Sequence, residues 1–78
     1  MNVAFEVLYT RGETAFLVKQ NEIYYFVNLD TNKYMENEEI EVFLKQGYFV
    51  KTENNSISQQ TLIIIEDILL DEENKLNF

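Results

Sequence analysis

The chain has 78 residues, no cysteine and no histidine, which excludes disulfides, the usual zinc ligand sets and any nucleophile that depends on an imidazole base. Hydrophobic residues make up 46% and aromatic residues 14%, so a packed core is within reach and global disorder is excluded. The net charge of −8 argues against direct binding to nucleic acid, whose phosphates are gripped by lysine and arginine.

Asn2 to Thr10 alternates, with Val3, Phe5, Val7 and Tyr9 pointing one way and Ala4, Glu6, Leu8 and Thr10 the other. That is the period of a strand. Arg11-Gly12 makes a turn in which glycine supplies a positive φ. Thr14 to Lys19 is a second strand with Phe16 and Val18 on one face, and Gln20-Asn21-Glu22 a second tight turn. Ile23 to Leu29 is a third strand. Ile23, Tyr25, Val27 and Leu29 share one face and Tyr24 and Phe26 the other, so both faces are apolar and a central place in the sheet is expected. These three strands form an antiparallel meander. Leu29 to Met35 then reads as a polar connection around Asp30-Thr31-Asn32-Lys33.

Glu36 to Tyr48 carries the signals of a short amphipathic helix. Asn37 is the expected N-cap, and Glu38 and Glu39 suit the positive end of the helix dipole. Ile40, Phe43 and Leu44 form an apolar stripe, with Val42 off it. Lys45 suits the negative end, and Gly47 is placed as the left-handed residue that ends the helix, with Tyr48 folding back on Phe43. Tyr48 to Glu53 is a fourth strand that returns beside one of the first three, and Asn54-Asn55 is a turn.

A second helix is expected from about Gln59 to Glu73. Ser56 and Gln59 have capping-box spacing, with Ser58 as an alternative cap. Leu62, Ile64, Ile65, Ile68 and Leu69 share one apolar arc, Glu66, Asp67 and Asp71 lie opposite, and Ile63 and Leu70 fall among those acids. Three consecutive isoleucines favour a strand over 61–65, but the apolar pattern persists to Leu70 without a turn residue, which favours helix. Residues 74–78 are expected to fray. The expected fold is therefore a single α+β domain over 1–78, of order β-β-β-α-β-α, with the helices on one face of a mainly antiparallel sheet.

Little in the chain carries chemistry. Asp30-x-Asn32 with Glu41 echoes a calcium loop, but Met35 stands where that loop needs glycine and Tyr34 where it wants a short oxygen ligand. Two glycines cannot build a phosphate-binding loop. So short a chain also has little room for a substrate pocket. The expectation is a non-enzymatic protein with no cofactor and no metal. No apolar run reaches the length of a membrane span and the N-terminus lacks a basic, then long apolar, leader, so a cytoplasmic protein without membrane contact is expected.

The charge is uneven. Residues 1–35 hold four acids and three bases, whereas residues 36–78 hold ten acids and three bases. Lysine outnumbers arginine five to one, and proline, tryptophan and histidine are missing, the usage of an AT-rich coding sequence such as those of low-GC bacteria and their phages. Glu36, Glu38, Glu39 and Glu41 of the first helix, with Glu66, Asp67, Asp71, Glu72 and Glu73 of the second, would make a negative face studded with Ile63 and Leu70. Closely spaced carboxylates resemble the phosphate ladder of a nucleic acid, and their field speeds encounter with a basic protein. Surplus aromatics in Ile23–Phe26 and at Tyr34, Tyr48 and Phe49 offer further anchors. The expected partner is a protein with a basic surface, one that itself handles nucleic acid. The expected role is a phage or mobile-element inhibitor of the DNA-mimic or anti-CRISPR type. An immunity protein or antitoxin against a basic toxin, or a homo-oligomeric structural module, homodimer included, would use the same features.

Overall fold

Alternation along the first half of the chain is resolved into hairpins. The computed structural model describes residues 3–39, 41–45 and 47–76 and shows β1 (Glu6–Arg11), β2 (Ala15–Gln20), β3 (Ile23–Asn28), β4 (Lys33–Asn37), α1 (Glu41–Leu44), β5 (Val50–Lys51) and α2 (Gln59–Leu70). The sheet has five antiparallel strands in the order β4-β3-β2-β1-β5. The α+β class and the β1–β3 meander agree with the sequence reading. β3 is flanked on both sides, as its two apolar faces require.

Three features depart from the expected β-β-β-α-β-α order. The connection after Leu29 turns within four residues, helped by Asn28, whose Oδ1 accepts from the Asp30 and Thr31 amides, and by Asn32 at φ 54. Lys33–Asn37 then pairs with β3 as an additional strand. Pairing consumes Glu36 and Asn37, so the expected helix over Glu36–Tyr48 shrinks to one turn, Glu41–Leu44. So short a helix has no stability of its own. Asn37 still makes the cap-type bond, its Oδ1 accepting from the Glu39 amide at 2.9 Å, but at the end of a strand. The stop signal holds: Gly47 has φ 79 and donates to the Leu44 carbonyl at 3.1 Å. Ile40, Gln46 and the side chains of Val42 and Phe43 lie outside the described residues, and so do the expected apolar stripe and the Phe43–Tyr48 contact. The fourth expected strand is reduced to Val50–Lys51 beside β1.

The alternation of β1 is broken once. Val7 pairs with Val18 but Tyr9 with Leu17, which makes Leu8 a bulge. An extra residue reverses which face the following side chains occupy. Tyr9 therefore leaves the face of Phe5 and Val7, and Thr10 takes its place. The Leu8 carbonyl is used by the Thr52 amide at 3.0 Å.

One core results: Phe5, Val7, Phe16, Val18, Val27 and Tyr34 from the sheet side are sealed by Leu62, Ile65 and Ile68 of α2. Residues 61–65 are helical, and α2 starts at the Ser58 cap, whose Oγ accepts from the Thr61 amide at 3.2 Å, rather than at Ser56. It ends at Leu70, before the expected Glu73, because Asp71 turns extended and caps a 3₁₀ turn over Glu72–Asn74. Of the expected apolar arc, Ile64 is exposed and Leu69 half-buried.

Among the described residues, α2 is the helix whose side chains join the core. The chain between β4 and β5 passes from one edge of the sheet to the other, and Phe49 at its end packs edge-on against Phe26, centroids 6.0 Å apart, on the face opposite α2. Arg11 lies over both rings, at 5.6 and 5.3 Å. That layer, with Tyr9 and Met35 beside Leu17 and Phe26 in the register, explains why Leu17 is fully buried on the outer side. Among the described residues no helix is long and apolar enough to cross a membrane.

The tail, where fraying is expected, lies along the free edge of β4. Lys75 bridges to Tyr34 in parallel and the Leu76 amide donates to the Tyr34 carbonyl at 2.8 Å. Asn77 and Phe78 are outside the described residues.

Candidate functional site

α2 buries one side and presents the other. Ile63 and Leu70 are exposed, at 39% and 74%, with the exposed Asp67 and half-buried Glu66 between them. The charge on this helix opposes its dipole. Its first turn has no acid and its last no base, while Asp67, Asp71, Glu72 and Glu73 gather at its C-terminal end. That end is negative, so Asp67 in the last turn is disfavoured by about 0.3–1 kcal/mol, whereas Asp71 is held by the Glu73 amide, from which it accepts at 3.0 Å. Among the described residues the ion pairs are Lys19–Glu22 at 3.5 Å and Lys75–Glu36 at 3.1 Å. Neither neutralises Glu66, Asp67, Asp71, Glu72 or Glu73.

Beside this end of α2 is a recess of about 500 Å3, lined by Tyr25, Tyr34, Leu69, Leu70, Glu72 and Lys75. β3 and β4 bring the two tyrosines together as an edge-to-face pair, centroids 5.7 Å apart. Tyr34 is buried, and burial pushes its phenol above the ordinary 10.0; the Lys75 charge works against this, and Glu72 adds to it. The Lys75 ammonium is held above its ordinary 10.5, first by its hydrogen bond to Glu36 and then by the Glu36 charge. Asn74 fixes the turn that delivers Lys75, its Nδ2 donating to the Ile68 carbonyl at 3.2 Å.

Of the residues expected at the site, Leu70 and Glu72 line this recess, Glu36 reaches it through its bond to Lys75, and Asp71 adjoins it. Ile63, Glu66 and Asp67 continue from it along α2. Glu38 and Glu39 follow β4 and Glu41 opens α1; all three are exposed, and no described hydrogen bond or ion pair ties them to α2. Lys75 and Leu69 were not among the expected site residues. Lys75 is the one base after Lys51, and its isolation among Asp71, Glu72 and Glu73 was the available signal. Tyr25 and Tyr34 were marked only as surplus aromatics.

No protein-family model matches this chain, and no curated protein or solved structure matches it. Among the described residues no group of three or more acidic side chains is placed to hold a metal ion. What the arrangement can do chemically is attract and seat a cation against carboxylates and aromatic rings.

Proposed function

We propose that this is a non-enzymatic binding protein that lays the outer face of α2 on a basic surface of another protein. The target class that fits is a nucleic-acid-handling protein, its phosphate groove filled by carboxylates, as for inhibitors of the DNA-mimic or anti-CRISPR type carried by phages and mobile elements. One observation carries the reading. Both acids within α2, Glu66 and Asp67, lie in its C-terminal half and neither in the first turn, and Asp67 stands in the last turn, where a carboxylate costs stability, whereas acids kept only for solubility would serve anywhere on the surface. Local conflict of this kind is expected where a surface is shaped for a partner rather than for folding. Ile63 and Leu70 are the apolar anchors, and the carboxylates steer the encounter. An immunity protein or antitoxin against a basic toxin would use the same face.

The test is Asp67→Lys. A partner is captured from a bacterial lysate with the tagged chain, released with salt and identified by mass spectrometry. Its affinity for the variant is expected to fall roughly tenfold, the scale of one close charge pair. The variant itself is expected to be more stable by about 0.3–1 kcal/mol, because a cation suits the helix end. A damaged fold cannot give both signs. Unchanged affinity would remove the acidic-face mechanism, and a stable oligomer with no partner would favour the homo-oligomeric module.

A further inference from the structure

The recess beside the end of α2 already contains a cation supplied by the chain itself. Lys75 enters it from the tail that lies along β4, and its Nζ sits 3.1 Å from Glu36 Oε2. Around it are Glu72, the adjoining Asp71, the Tyr25–Tyr34 pair and the aliphatic wall of Leu69 and Leu70. The negative end of the α2 dipole closes the same corner. Lys75 is paired with Glu36, while Asp71 and Glu72, whose charges act on Tyr34 at the same recess, have no ion-pair partner among the described residues, so the surroundings stay negative with Lys75 in place.

We propose that this recess is the seat of an arginine side chain of the basic partner, and that Lys75 is a stand-in ligand which the arginine displaces from Glu36. Charge and shape both select the guanidinium. It lies flat on a tyrosine ring while bonding a carboxylate at its edge, which an ammonium cannot do with the same geometry. Its uncharged stem fits along Leu69 and Leu70. The Lys75–Glu36 pair is half-exposed, with side chains 36% and 38% accessible; exposed pairs are held weakly enough to be exchanged. The identity of the occupant rests on the binding-module reading above; the recess and its internal lysine do not.

The probe is an acetylated hexa-arginine amide, titrated at low salt into the full chain with amide and tyrosine-ring resonances followed by NMR. Saturable shifts are expected at Tyr25, Tyr34, Leu69 and Leu70, and tighter binding than for hexalysine. Lys75→Met removes the competitor and keeps the apolar stem. It is expected to tighten binding by up to about fivefold, the range an exposed pair can withhold, relative to Lys51→Met, which removes the same charge at the far edge of the sheet. Glu36→Gln is expected to weaken binding several-fold more than Asp67→Asn. That second comparison alters no tail residue and keeps the backbone bond from the Leu76 amide to the Tyr34 carbonyl, and it decides the matter should Lys75→Met disturb the fold. Equal effects within either pair, or shifts spread evenly over the acids, would overturn the proposal. A captured partner lost with Asp67→Lys but indifferent to Glu36→Gln would overturn the recess alone. Peptide seated in the recess of a chain that captures no basic partner would overturn the binding-module reading alone.

Discussion

Asn21 and Glu22 join β2 to β3 with φ of 52 and 66. Two consecutive left-handed residues make the turn that matches the twist of a hairpin. Asparagine tolerates that conformation; glutamate does not, at about 1–2 kcal/mol. The Lys19–Glu22 pair at 3.5 Å returns little, because the Glu22 side chain is 90% exposed. Glu22→Gly is therefore expected to stabilise the protein by about 0.5–1 kcal/mol after the extra entropy that glycine loses on folding. Urea unfolding should show this as a higher midpoint with an unchanged slope. Gly12, at φ 63 between β1 and β2, is the position where the sequence already supplies the residue the backbone needs.

At the scale of elements, β5 is short because side chains finish its work. The Val7 amide donates to Asn54 Oδ1 at 2.7 Å and Asn54 Nδ2 donates to the Phe5 carbonyl at 3.0 Å. One amide side chain thus copies a ladder residue along the edge of β1. Asn54→Ala leaves two half-buried backbone groups without partners and is expected to cost about 2–3 kcal/mol, read as a lower thermal midpoint. Nothing in Asn54-Asn55 announces this, since the pair also suits a plain turn. The parts legible in the sequence were those with a long, clean period: β1 to β3 by alternation, α2 by its apolar arc. β4 was illegible because Lys33–Asn37 offers few strong residues to each face, while Asn37-Glu38-Glu39 imitates a helix start. Pairing with β3, a non-local gain, overrode that local preference. The bulge at Leu8 was hidden for the same reason: it is set by the two neighbouring strands. At the site, the face of α2 could be read from its period. The recess could not, because Tyr25, Tyr34 and Lys75 meet only through the sheet and the returning tail.

For the molecule as a whole, the tail closure carries a pH dependence. Tyr34 and Lys75 both hold their protons more tightly folded than unfolded. Their contribution is present in full below the unfolded values of 10.0 and 10.5 and is lost as pH rises through the higher folded ones. The thermal midpoint is expected to fall as pH rises above 10.0, and less steeply in Tyr34→Phe and Lys75→Met than in the unaltered chain. The same closure governs the margins of the sheet. The tail occupies the outer side of β4 at Tyr34, and β5 at the opposite margin is two residues long. A strand edge so covered or so brief gives another copy little to build on. A protein that works by occlusion is consumed mole for mole and must accumulate to the abundance of what it blocks. In the proposed role, margins of this kind would favour a dose held as separate molecules over one lost to edge-to-edge pairing.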